Sequence, residues 1–202
     1  MSEPPSGGAL VLGLGNPIMG DDGLGLAALE RLRQEWQVPP DVRLVDGGTW
    51  GMRLLPLIEQ ADAVLFLDAI DGGRGPGQLI HLGREALPRG LGHKLSSHQV
   101  DLREVLAVLA LRERMPRLIA AIGLQPARIE LSTSLSAEVA GGLGTMVGAA
   151  LAQLTAWGYR VQAAAAAVRR VSRLRTAPAA SCGREFARLR LSPTPPGVEF
   201  QR

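Results

Sequence analysis

The chain has 202 residues, 46% of them hydrophobic and 20% charged, which suits one well-packed domain with an appendage. The formal net charge of +3 suggests a polyanion partner. However, residues 159–202 hold nine arginines against two glutamates, a net of +7 that leaves −4 for residues 1–158. This distribution argues against a domain that binds nucleic acid. The single cysteine, Cys182, excludes an internal disulfide and a cysteine-based metal cluster.

No stretch of the sequence resembles a targeting signal or a membrane span. Residues 1–8 lack a basic region followed by an apolar stretch, so we expect no signal peptide. No window reaches the roughly 18 apolar residues that are needed to span a bilayer. These observations predict a cytoplasmic protein that is not associated with a membrane.

The first half of the chain alternates strand and helix patterns. Continuous apolar runs at 9–14 and 63–67 are typical of strands buried on both faces, and 42–45 is a further strand between them. A helix follows the first strand and is stopped by a pair of prolines; its apolar face comprises Leu26, Leu29, Leu32 and Trp36. Residues 51–60 are predicted to be helical, with a late start or a kink at Pro56. The inward side chains of this helix are expected to be Met52, Leu55 and Ile58.

The second half of the chain continues the alternation. Strands are predicted at 78–82 and 118–122, helices at 99–111 and 136–156, and irregular structure at 84–97. The apolar positions of the two helices recur at helical spacing: Leu102, Val105, Leu106 and Leu109, then Val139, Leu143, Val147 and Leu154.

Strands that alternate with helices predict an α/β fold. We expect a three-layer sandwich, in which a mostly parallel, twisted five-stranded sheet has helices on both faces. The domain is expected to cover residues 1–158. Residues 159–202 would then be a basic extension, containing arginine and proline, that we expect to be mobile.

A glycine-rich turn over residues 13–25 contains two adjacent carboxylates, Asp21 and Asp22. A strand, a glycine turn and a helix usually build a phosphate cradle, but a site for an anion should not end in two anions. Dinucleotide binding also needs a third glycine where this chain has Ile18, so a nucleotide-binding oxidoreductase is a poorly supported alternative. The loop therefore suits a cation or acid chemistry.

Two carboxylates and a histidine are predicted to meet at one edge of the sheet. Asp22 lies in the loop after the first strand and Asp68 ends the third, and we expect these strands to be neighbours in the order second, first, third. His98 stands at the start of the 99–111 helix, where the positive helix end keeps an imidazole neutral, as a metal ligand must be. The three side chains would suit a divalent transition metal. In the simpler interpretation, Asp22 caps a helix and Asp68 merely ends a strand.

Four motifs resemble those of the [NiFe]-hydrogenase maturation endopeptidases, in that family's order and at similar spacing over residues 9–157. They are the segment 15–25, the tetrapeptide Asp46-Gly47-Gly48-Thr49, the pair Asp68-Ala69 and the tetrapeptide Ser96-Ser97-His98-Gln99. Any one of these motifs would be weak, whereas the four together are a strong signal.

The resemblance implies a site and an activity. In that family an acidic residue of the first loop, an aspartate after the third strand and a histidine bind nickel, which here correspond to Asp22, Asp68 and His98. The first is often glutamate in relatives, so Asp22 has a shorter reach. The implied enzyme is a cytoplasmic, monomeric endopeptidase, often classed with the aspartyl proteases. It would remove the C-terminal extension from the nickel-loaded precursor of a hydrogenase large subunit. It would recognise the nickel ion that this substrate carries.

Some assignments remain open from the sequence. An alternative function is that of a nickel-dependent checkpoint that binds the precursor without cutting it. Asp46 and the backbone amides of Gly47 and Gly48 either position the substrate peptide or simply form a turn. Asp21 is expected to cap the first helix or to support Asp22.

Overall fold

The computed structural model describes residues 7–87 and 97–164, with side chains described from residue 102 onward in the second range. Cys182 and most of the predicted extension lie outside the described residues. The strands are β1 (Ala9–Leu14), β2 (Trp36–Gln37), β3 (Val42–Gly48), β4 (Ala63–Ala69), β5 (Leu79–Gly83), β6 (Leu118–Leu124) and β7 (Gln162–Ala163). The helices are α1 (Leu24–Glu35), α2 (Leu55–Glu59), α3 (Ser97–Leu111) and α4 (Ala137–Ala156).

Five strands form the main sheet, in the order β3-β1-β4-β6-β5. β1 pairs in parallel with both β3 and β4, which confirms the expected order second, first, third. β4 and β6 are also parallel, while β5 runs antiparallel to β6 at the edge. The predicted α/β fold with a mostly parallel five-stranded sheet is therefore confirmed.

Helices cover both faces of the sheet and divide the core into two parts. On one face, α1 and α4 pack against inward side chains of the central strands, such as Val11, Leu65 and Ile122. On the other face, α2 and α3 pack against side chains such as Leu12 and Phe66. In α3 the predicted apolar positions are buried: Leu102, Val105, Leu106 and Leu109. This layering leaves the two ends of the sheet for loops.

The first helix is shorter than its apolar pattern suggests. α1 ends at Glu35, and Trp36 has extended backbone angles and belongs to β2, where it pairs with Ala163 of β7. Its predicted place on the helix face was therefore wrong. The side chain of Trp36 still packs against the core, but from a strand.

The second helix starts late, as its proline indicated. A 3-10 turn over Gly51–Leu54 precedes α2, and Pro56 lies in the first turn of α2, where its missing N–H group is not needed. Leu55 and Ile58 are buried as predicted. Met52 is 43% exposed, so its expected inward position was wrong; it lies in the 3-10 turn, where Leu54 is the large side chain that is buried instead.

Among the described residues, α4 is the one helix whose length and apolarity would allow it to cross a membrane. Ser136 caps its N-terminus by accepting a hydrogen bond from the Val139 N–H group. Its buried side chains contribute to the core on one face of the sheet: Val139, Met146, Val147, Ala150 and Leu154. These buried positions recur at helical spacing, so one face of α4 packs against the sheet.

Candidate active site

Asp22 and Asp68 lie at the carboxyl ends of neighbouring parallel strands. Asp22 belongs to a 3-10 turn, Gly20–Gly23, between β1 and α1, and Asp68 is the penultimate residue of β4 rather than its end. The two residues are only 2% and 1% exposed. One oxygen of Asp22 accepts the Asn16 N–H at 2.9 Å, and one oxygen of Asp68 accepts the Ala69 N–H at 2.7 Å. Backbone donors therefore orient both buried carboxyl groups at this edge.

Glycines allow the backbone to pass close to both aspartates. Gly15 has a φ of +116°, and a Cβ atom there would overlap the carbonyl oxygen of Asp22. Gly123 pairs with Asp68 across β4 and β6, and a Cβ atom there would overlap the Asp68 carbonyl oxygen. The glycines around the site are thus required for close approach rather than for binding a phosphate.

Asp21 does not cap α1, because no side chain makes a cap hydrogen bond at that helix start. It is fully buried, and its carboxylate accepts from the N–H groups of Ala127, Arg128 and Ser136 at 2.7–3.0 Å. The Ser136 hydroxyl donates a fourth bond, at 2.9 Å. Burial raises the pKa of Asp21, but these hydrogen bonds outweigh it and hold the pKa below its ordinary value. Asp21 therefore joins the first loop to the start of α4.

Further backbone hydrogen bonds fix the loop that carries Asp22 to its neighbours. The Gly20 N–H donates to the Ser132 carbonyl at 2.7 Å, and the Ser132 N–H donates to the Ile18 carbonyl at 3.0 Å. On the other side, the Gly15 N–H donates to the Gly48 carbonyl at 3.0 Å. The loops after β1, β3 and β6 therefore form one connected surface.

His98 lies in the first turn of α3, and its side chain falls outside the described part of the chain. One turn later, Leu102 lines a small pocket with Leu14, the last residue of β1, and Gly48, the last residue of β3. The start of α3 is therefore directed to the edge that carries Asp22 and Asp68. Among the side chains that the structure describes, no three His, Cys, Asp or Glu groups stand close enough to share a metal ion.

The comparisons with known proteins agree on one family. A family model described as HycI, hydrogenase maturation protease, matches residues 26–153. The hydrogenase expression/formation protein HupD of Rhodobacter capsulatus is 38% identical over 154 residues, which are 75% of this chain and 73% of that protein. The Escherichia coli hydrogenase 2 maturation protease is 34% identical, over 64% of this chain and 80% of its own length. The chain belongs to the hydrogenase maturation protease family.

The solved structures extend this result to the fold. The hydrogenase maturating endopeptidase HybD of E. coli superimposes with a TM-score of 0.74 at 30% identity, covering 77% of this chain and 97% of the other. This maturation protease is accordingly an endopeptidase, a hydrolase of peptide bonds. Family membership favours that activity over the checkpoint and oxidoreductase alternatives.

Peptide hydrolysis requires a group that accepts a proton from water and groups that stabilise charge on the carbonyl oxygen. In the maturation protease, Asp22 and Asp68 are the buried carboxylates that the sequence predicts for such proton transfer. Asp46 lies in β3 opposite Gly13 and is exposed, so it is accessible to a peptide laid over the edge. The catalytic roles of these residues remain predictions.

Gln125 is a polar residue near this edge that sequence reasoning missed. It follows β6 directly and is 7% exposed. Its side-chain oxygen accepts from the N–H groups of Gly72 and Arg74 at 2.9 and 3.1 Å, and its amide donates to Asp71 at 3.0 Å. Gln125 thus holds the loop after β4 in this maturation protease. The available signal was a polar residue placed directly after a buried apolar strand.

Proposed function

We propose that this protease removes the C-terminal extension from the nickel-loaded precursor of a [NiFe]-hydrogenase large subunit and so completes hydrogenase maturation. The observation that carries the proposal is the pair of buried aspartates, Asp22 and Asp68, at the carboxyl ends of neighbouring strands. The family membership and the four sequence motifs support the same substrate. We further propose that the protein acts in the cytoplasm as a monomer and without a membrane.

In this proposal the nickel arrives with the substrate. The precursor's own ligands hold the ion, and Asp22, Asp68 and His98 recognise it when the precursor docks. Carboxylate oxygen and imidazole nitrogen are both suitable donors for such an ion. Each described carboxylate has one oxygen fixed by a backbone N–H group, which sets the direction of its other oxygen.

Recognition of the ion would place the scissile peptide over the same edge. Nickel would supply Lewis acidity toward the peptide carbonyl or toward water. The chain's own contribution is to orient the peptide and to accept a proton from the attacking water at a carboxylate of Asp22 or Asp68. Asp46, exposed at the neighbouring strand end, would help to position the peptide backbone.

The test is a reaction of two purified components, the protease and a defined precursor, with and without nickel. We expect wild-type protein to cleave only the nickel-loaded precursor, and Asp68→Asn and His98→Ala to be slower by roughly 100-fold or more. Asp41→Asn is the matched control, because Asp41 is an exposed carboxylate at the opposite end of the sheet, and its rate should stay within about twofold.

The outcomes separate the possible functions. Cleavage that needs a third protein would mean that this chain only binds the precursor. Full cleavage by both Asp68→Asn and His98→Ala would remove the proposed recognition of nickel by these side chains.

A further inference from the structure

Large apolar side chains are exposed around the edge that carries the aspartates. Four of them lie in the loops that follow β1, β3 and β6: Ile18 (52% exposed), Trp50 (51%), Met52 (43%) and Leu131 (82%). We call these four residues the apolar rim. Among the described residues, one further large hydrophobic side chain is exposed, Leu111, which ends α3 near the opposite end of the sheet.

The members of the apolar rim are connected through the backbone. Met19 and Ser132 form a parallel bridge, so Ile18 and Leu131 occupy equivalent positions one residue earlier on paired segments. On the other side, the Gly48 carbonyl accepts from Gly15, and Gly48 lies beside the indole of Trp50. The rim is therefore carried by loops that are hydrogen-bonded to the Asp22 loop on both sides.

The apolar rim differs in burial from the carboxyl groups of the neighbouring loop and strand. Asp22 and Asp68 are buried, whereas the rim side chains are about half exposed or more. A folded substrate that brings a peptide bond to these aspartates must first contact the loops around them. Single exposed hydrophobic residues are common on protein surfaces and need no explanation, but their concentration in the loops around one site does.

We propose that the apolar rim is the docking surface for the folded body of the precursor, which would present a complementary apolar patch beside its cleavage segment. This inference rests on the proposed function, because the rim is continuous with the site of cleavage. Tryptophan is among the residue types that most often contribute strongly to binding at protein interfaces, so Trp50 is the expected anchor. Apolar docking would also place a large partner without adding charge next to the aspartates.

The experiment compares exposed apolar residues at the two ends of the sheet. Trp50→Ser and the double variant Ile18→Ser/Leu131→Ser test the rim, and Leu111→Ser is the matched control because Leu111 is 85% exposed. For the nickel-loaded precursor, we expect Trp50→Ser to raise KM roughly 10- to 30-fold and leave kcat within about twofold. Trp50→Phe should restore most of the loss, and Leu111→Ser should match the wild type.

The result distinguishes failure of the rim from failure of the function. If wild-type protein does not cleave the precursor at all, the proposed function is wrong. If it does and the rim variants have the same KM as Leu111→Ser, the docking proposal alone is overturned. The proposal also fails if the rim variants only dissociate a homodimer, detected by sedimentation, while precursor binding is unchanged.

Discussion

The two ends of the central sheet differ in whether their aspartate side chains are buried. At the carboxyl end, Asp21, Asp22 and Asp68 are buried, with exposures of 2% or less. At the amino end, Asp41 is exposed and Asp62 is half-buried. Among the described residues, the buried polar groups there include the hydroxyl of Tyr159, which is 1% exposed, and the indole N–H of Trp36, both of them neutral.

The direction of the helices accounts for this difference. α1 and α4 begin at the carboxyl end of the sheet, and their first turns and preceding loops present N–H groups that have no partner within the helix. Asp21 accepts from one such group, the N–H of Ser136, the residue that caps α4. The same helices end at the amino end, where backbone carbonyl groups would oppose a buried anion. Buried carboxylates are therefore favoured at the carboxyl end of the sheet, where the candidate site lies.

The strongest test of the comparison is removal of Asp21. Asp21→Ala would leave three backbone N–H groups and the Ser136 hydroxyl without their acceptor in a buried position. We expect the free energy of unfolding to fall by about 4 kcal/mol, measured by urea denaturation with an unchanged m value. A loss below about 1 kcal/mol would mean that the buried carboxylate does not hold these loops together.

Acid pH provides the control for Asp21. Because the native pKa of Asp21 is lowered, its stabilisation is present above the ordinary carboxyl pKa and is lost as pH falls through the native value. Asp21→Asn should therefore show a shallower loss of stability in acid than the wild type. An identical acid profile in both proteins would contradict the lowered pKa.

A second, smaller effect is expected from close backbone packing at the carboxyl end. A Cβ atom at Gly25 would overlap the carbonyl oxygens of Leu67 and Leu14, so Gly25→Ala must push α1 away from the strand ends. We expect a loss of about 2 to 3 kcal/mol in denaturant unfolding. Gly141→Ala is the matched control, since Gly141 is an exposed glycine of α4 with open space around it. That substitution should stabilise the protein by about 0.5 to 1 kcal/mol.

Much of the fold followed from local pattern. The apolar runs predicted the five strands of the main sheet, and helical spacing identified the buried positions of α3, such as Leu102 and Val105. The strand order could be inferred because parallel α/β topologies are few. The placement of Asp22 and Asp68 at one edge followed from that order.

The structural features that the sequence did not predict depend on contacts between residues distant in the chain or on very short strands. The partners of Asp21 lie more than 100 residues away in the chain, so no local spacing reveals them. The pairing of β2 with β7 involves two residues in each strand, which is too short for an alternation pattern. Trp36 therefore looked like one more apolar position of the preceding helix.

The smallest predicted change in the free energy of unfolding is at the amino end of the sheet. At neutral pH this change is an increase rather than a loss. The Tyr159 hydroxyl is buried without a hydrogen-bond partner among the described residues. Its removal in Tyr159→Phe should raise the free energy of unfolding by about 0.5 to 1 kcal/mol at neutral pH, because no hydrogen bond is lost. A loss comparable to that of Asp21→Ala would mean that both ends of the sheet depend equally on buried polar groups.

Alkaline titration tests the same residue directly. Burial, followed by the negative charges of Asp41 and Asp62, raises the pKa of Tyr159 from 10.0 to about 12. Because the unfolded chain ionises first, the wild type should lose stability between these two values and Tyr159→Phe should lose less. Tyr159 is the chain's single tyrosine, so tyrosinate absorbance reports it alone. If Tyr159 titrates with an ordinary tyrosine pKa in the folded protein, the amino end of the sheet does not exclude a negative charge. The contrast between the two ends would then rest on the carboxylates alone.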